Sequence, residues 1–179
     1  MKKEEQILKL IAELKTGDTE VIDQTIEQIS ETGDSSFIVK LADFLVETDN
    51  QELKHKILTL FGELKHSDAV EQLIYIIQTP KYSKEQLVFV ACCWQNGLNY
   101  SQHLPYFVDL IIEKDFETAF EAFTVVENMY GKIDTTVEIE TLHQIKKALN
   151  QTNEQKEYLL NGLLQIIPNI PELREDISF

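Results

Sequence analysis

LKHSDAVEQLIYII, residues 64–77, reads as the end of one helix, a short polar break and the start of another. Thirty-four residues on, LNYSQHLPYFVDLI, residues 98–111, carries apolar residues at the same relative places. Sliding the chain by 34 without gaps lays Leu53 on Leu87, Leu58 on Cys92, Leu60 on Trp94 and Leu64 on Leu98. It then lays Val70 on Leu104, Leu73 on Phe107, Ile74 on Val108, Ile76 on Leu110 and Ile77 on Ile111. A shift of 32 matches TGDTEV (16–21) to TDNQEL (48–53), and a shift of 35 matches Leu104, Phe107 and Leu110 to Ile139, Leu142 and Ile145. Two amphipathic helices overlap easily by chance; helix, break and helix agreeing across four windows do not. The chain repeats every 32–35 residues, and a two-helix unit of that size must stack on its neighbours to bury its apolar stripe.

The whole sequence reads as helix. Ten stretches carry apolar residues at helical spacing: about 3–15, 19–31, 35–47, 51–65, 68–79, 83–97, 102–114, 116–130, 134–149 and 153–167. Asp18, Asp34 and Asp68 stand where helix N-caps belong, and Ser83 with Gln86 reads as a capping box. Gly97 and Gly131 fall where a left-handed residue would close a helix. Val70, Leu73, Ile74 and Ile77 form one inward stripe, with Gln72, Tyr75 and Thr79 pointing away. Strand-like alternation does not occur. The chain is read as one all-α domain, residues 1–167, followed by an acidic tail, 168–179, docked or frayed after Pro168 and Pro171.

Of 179 residues, 16 are basic and 31 acidic, giving a net charge of −15. Arg174 is the sole arginine. Phosphate binding needs clustered cations, and bidentate recognition needs guanidinium groups, so no nucleic-acid or anionic-membrane role is expected. The opening MKKEEQILKL lacks the apolar run of a signal peptide, and LVFVACCW (87–94) is far too short to span a bilayer. Cys92 and Cys93 are adjacent, a spacing that disfavours a disulfide, and read as buried thiols of a cytoplasmic protein.

FGELKHSDAVEQLIYII (61–77) resembles the turn within a HEAT repeat, the antiparallel helix pair of armadillo-like α-solenoids. Phe61-Gly62-Glu63-Leu64 is similar to the end of its first helix and Asp68-Ala69-Val70 to the start of its second, with a weaker copy at 26–45. The arginine usual in the family's second helix and the proline usual in its first are both missing. Tetratricopeptide repeats share the period, but their tryptophan, glycine, tyrosine and alanine signature does not occur. The resemblance implies a right-handed α-α superhelix of about four helix pairs plus capping helices. It also implies that second helices line a concave binding surface.

Carried onto this chain, that surface comprises Lys40, Asp43 and Glu47, then Gln72 and Tyr75, then Tyr106, Asp109 and Glu113, then Thr141 and Gln144. Tyr75 and Tyr106 stand out as aromatics where a solvated face is usually charged, and tyrosine suits an interface hot spot. The expected function is a non-catalytic interaction or scaffold module offering an acidic groove to another protein, by preference a basic or amphipathic helix. Homodimerisation is a further option. The alternative is a small-molecule binder or enzyme, since HEAT-like relatives include chromophore lyases and DNA glycosylases. Asn96, Tyr100, Asn128 and Tyr130 are the residues that could form its pocket, while Trp94 aligns with Leu60 and is read as core. No catalytic, cofactor or metal motif is present: His55, His66, His103 and His143 are scattered through the sequence.

Overall fold

The helical stripes of the sequence become ten α-helices in the computed structural model, which describes residues 3–15, 19–32 and 35–173. They are α1 (Lys3–Leu14), α2 (Thr19–Thr32), α3 (Ile38–Glu47), α4 (Gln51–Gly62) and α5 (Ala69–Gln78). Then come α6 (Gln86–Asn96), α7 (Leu104–Glu113), α8 (Phe116–Glu127), α9 (Thr135–Leu149) and α10 (Glu154–Ile166). No strand occurs among the described residues, and none of their helices is long and apolar enough to cross a membrane.

The chain divides into two compact units, residues 1–98 and 99–179. In the first, α1 packs on α2, α3 on α4 and α5 on α6, while α3 also contacts α1 and α5, and α4 contacts α2 and α6. Odd helices thus neighbour odd ones and even helices even ones. The tight partner of α4 is α6 and that of α5 is α3 or α6, so close pairing does not fall across the 61–77 turn on which the sequence resemblance rests. The second unit holds α7 against α8 and α9 against α10, with α7 also on α9 and α8 on α10. Two residues join α7 to α8, which obliges them to run antiparallel.

The burial pattern explains the repeat. In α5, Val70, Leu73, Ile74, Ile76 and Ile77 are all buried, and in α7 so are their counterparts Leu104, Phe107, Val108, Leu110 and Ile111. Each such side chain contributes roughly 1.5–3 kcal/mol. Side-chain hydrogen bonds within the first unit recur at the same spacing. Lys56 to Asp23 and Ser35 to Asp68 each span 33 residues, Cys92 to the Leu58 carbonyl spans 34, and Asn96 to the Phe61 carbonyl spans 35.

The helix ends depart from the sequence reading. Side-chain caps come from Asn50, Asp115, Asp134 and Asn153, whose oxygens accept from backbone N–H groups at 2.8–3.1 Å. Asp68 sits in helical geometry and accepts instead from the Ser35 hydroxyl, 2.7 Å away. Ser83 and Gln86 form no capping box. Pro80–Tyr82 makes a 3₁₀ turn that delays α6 to Gln86, and the Gln86 amide donates to the Ile77 carbonyl at 2.8 Å. Gly97 closes α6 in the left-handed region (φ 62°) as expected. Gly131 also has positive φ (117°), but it lies in the loop after α8 rather than at a helix end. Asp18 and Asp34 lie outside the described residues.

Candidate functional site

In the first unit α3 carries Lys40, Asp43 and Glu47, and α5, packed against it, carries Gln72 and Tyr75; Asp43, Glu47 and Tyr75 all lie near Lys81. Lys40 and Glu47 are exposed, Asp43 and Gln72 half-buried, and Tyr75 is 55% exposed. The period-3.6 stripe of α5 buries Leu73, Ile74, Ile76 and Ile77, which leaves Tyr75 no inward place.

The Asp43 carboxylate anchors this face. It accepts from Lys81 Nζ at 2.5 Å and from the Tyr82 hydroxyl at 2.6 Å, both in the 3₁₀ turn after α5. The Lys81 ammonium also lies over the Tyr82 ring, 5.6 Å from its centroid. Tyr82 is itself buried, edge-on to Phe89 with ring centroids 6.0 Å apart. The network therefore ties α3 to the turn and to α6, and Tyr75 lies close to Lys81 and Tyr82. Neither Lys81 nor Tyr82 was a sequence candidate, because their partner is 38 and 39 residues away.

Burial opposes the charge on Asp43, yet the Lys81 and Tyr82 donors overcome it and hold the carboxyl below its ordinary 3.8. Burial, then the adjacent Asp43 carboxylate, pushes the Tyr82 hydroxyl well above its ordinary 10.0. The lowered acid contributes stability that is complete above the unfolded value of 3.8 and is lost as pH falls through the lower folded value. The raised phenol contributes stability that is complete below 10.0 and is lost as pH climbs from there toward the folded value. Tyr82→Phe should cost about 1 kcal/mol at neutral pH, through loss of the bond to a half-exposed carboxylate. The gap in melting temperature between wild type and variant should stay level from pH 6 to 9 and close above pH 10. A gap that persists at alkaline pH would show that the hydroxyl contributes nothing through its proton.

In the second unit the remaining sequence-derived residues fare differently. Glu113 is exposed, and Asp109 is half-buried and accepts from the Gln144 amide of α9 at 2.5 Å. Tyr106 is half-buried, its ring 6.0 Å from that of Phe107. Thr141 is 2% exposed, which corrects its placement on an outward face. The cause is the rotation of α9: Thr141 and Ile145 point inward, while Ile139, aligned with Leu104, is 62% exposed. Trp94 is likewise corrected, being 37% exposed where its counterpart Leu60 is buried.

The remaining polar residues singled out in the sequence fall in separate units, Asn96 in the first and Tyr100, Asn128 and Tyr130 in the second. The Asn96 amide donates to the Phe61 carbonyl and its oxygen accepts from the Leu98 N–H at 2.9 Å. Tyr100 is buried edge-on to Phe107 at 5.7 Å, and the exposed Asn128 donates to the Thr124 carbonyl. Tyr130 is half-buried. Cys92 and Cys93 are buried thiols, and the tail is docked at least at Pro171, whose carbonyl accepts from the Gly131 N–H at 2.9 Å. Residues 174–179 of the tail lie outside the described residues. Among the described residues no group of three or more His, Cys, Asp or Glu is placed to hold a metal ion.

The first unit also contains a small cleft whose walls include none of the five face residues of α3 and α5. It has a volume of about 110 Å³, with Ile29, Phe37, Ile38, Leu41, Phe61 and Ala69 among its walls. Lys65, His66, Glu63 and Ser35 stand at its polar side. Compared with known proteins, the chain matches no family model, no curated protein and no solved structure.

Proposed function

We propose that the chain is a non-catalytic protein-binding module, a HEAT- or armadillo-like helical stack acting in the cytoplasm. Its exposed α3–α5 face would receive a basic or amphipathic segment of another protein. The observation that carries the reading is Tyr75, 55% exposed and close to the Asp43–Lys81–Tyr82 network. A large aromatic beside a hydrogen-bonded network offers contact area with little rotamer entropy to lose, the usual makeup of an interface hot spot. A net charge of −15 favours a cationic partner over a second copy of the same chain. Affinity capture from the native cell lysate should recover a partner whose binding falls by about 2 kcal/mol, roughly thirtyfold, in Tyr75→Ala. Because Tyr75 is mostly exposed, that variant should melt within a degree or two of wild type. Undiminished capture of every partner by a folded Tyr75→Ala protein refutes the face.

A second reading, a small-molecule binder of lyase-like or other activity, is favoured by the apolar cleft beside Phe37 and Phe61. Its volume suits a ligand of about benzene size. A thermal-shift titration with benzene or indole separates the two: stabilisation abolished by Leu41→Trp supports the cleft, and no stabilisation removes it.

A further inference from the structure

The exposed stripe of α8 carries an anomaly unconnected with Tyr75. FETAFEAF, residues 116–123, places phenylalanines at i, i+4 and i+7, the spacing of a core stripe. The structure turns only the last of them inward. Thr118, Ala119, Ala122, Phe123, Val125 and Val126 are buried, whereas Phe116 and Phe120 are 36% and 49% exposed. The two exposed rings lie against each other, with centroids 6.2 Å apart and planes tilted by 38°. They form a pre-arranged aromatic step that the core does not use.

The charges beside that step are mainly acidic, with Lys114 and Lys156 near Asp115 as the exceptions. Glu117 and Glu127 are exposed on the same helix, and the exposed Asp115 caps it. Hydrogen bonds from the Thr118 backbone hold the Asp115 carboxyl below its ordinary value, so it stays anionic at neutral pH. Aromatic faces attract cations, and flanking carboxylates strengthen that attraction. A second copy would set −15 against −15, and phosphate-bearing surfaces are repelled in the same way.

We propose that the exposed stripe of α8 is a docking surface for a lysine- or arginine-bearing segment of a partner protein. In this arrangement a cationic side chain lies over Phe116 and Phe120 and its flanking charges meet Glu117 and Glu127. The surface belongs to the second unit and the Tyr75 face to the first, and the two share no residue.

The test is a two-dimensional ¹H–¹⁵N NMR titration of the full chain with a helical peptide built of leucine and lysine. The matching leucine–glutamate peptide serves as control. The expected result is movement of the 115–128 amides with the lysine peptide alone. Phe120→Ser, which removes a half-exposed ring and keeps the charge, should weaken binding about tenfold. Glu117→Gln with Glu127→Gln should weaken it and flatten its salt dependence. Equal affinity in a folded Phe120→Ser protein would reduce the effect to bulk charge and overturn the proposal. Shifts confined to α3 and α5 would overturn it while leaving the Tyr75 face standing, and no shifts anywhere would overturn it outright.

Discussion

Phe89→Ala is expected to destabilise the protein by about 3–5 kcal/mol, lowering the melting temperature by about 10 °C or more. The side chain is fully buried in α6, with its ring 6.0 Å from both Phe61 of α4 and Tyr82 of the 3₁₀ turn. Truncation leaves a cavity that three separate elements would have to close at once. The change also acts at a distance, because Phe89 is the floor beneath Tyr82 and Tyr82 holds Asp43. Phe89→Leu, which keeps most of the volume, should cost less than half as much and preserve the raised Tyr82 titration. Ultraviolet titration of the tyrosines with thermal melts checks both effects. A melting temperature within two degrees of wild type for Phe89→Ala would refute the aromatic hub.

Gly131→Val should cost about 2–6 kcal/mol, the sum of backbone strain and overpacking. At φ 117° an L side chain is strained whatever space surrounds it. There is no space either: a Cβ would lie 2.6 Å from both the Asn99 amide and the Ser101 hydroxyl. Moving those groups would disturb the start of the second unit and the hydrogen bond by which Gly131 holds Pro171. Chemical denaturation with helical circular dichroism provides the measurement. A midpoint equal to wild type would mean that the loop adopts another path.

The helices were legible because their signal is local. All ten segments read from apolar spacing are present, with boundaries off by up to three residues, as at α6, where Pro80 starts a separate turn. The α5 and α7 stripes agree because both helices bury a full apolar face. Where a helix offers two competing stripes the sequence did not decide between them. In α9, Ile139–Leu142–Ile145 reads as the better face, yet the helix turns Thr141 and Ile145 inward. In α8, the phenylalanine spacing reads as core, yet Ala119 and Ala122 take the buried side. Small residues permit close packing, and that gain depends on a neighbour the pattern does not contain.

The binding face was legible in part for the same reason. Tyr75 is identifiable because a strong stripe excludes it from the core. Asp43 was placed on the face but not recognised as its anchor, since Lys81 and Tyr82 reach it only through the fold. Tyr106, the aromatic of the next repeat, aligns with Gln72 rather than with Tyr75 and is half-buried, so the two tyrosines do not form an equivalent pair.

Stacking by period is the claim on which these readings rest: each helix hides its stripe against helices one repeat away. Amide hydrogen exchange of the intact protein measures this residue by residue. Amides at Leu73, Ile76 and Ile77 of α5, and at Phe107, Leu110 and Ile111 of α7, should be among the slowest, opening only with unfolding of their unit. If either set exchanges as fast as the exposed end of α9 near Ile139, that stripe is not buried by its neighbours, and the repeat is a pattern of sequence without a shared core.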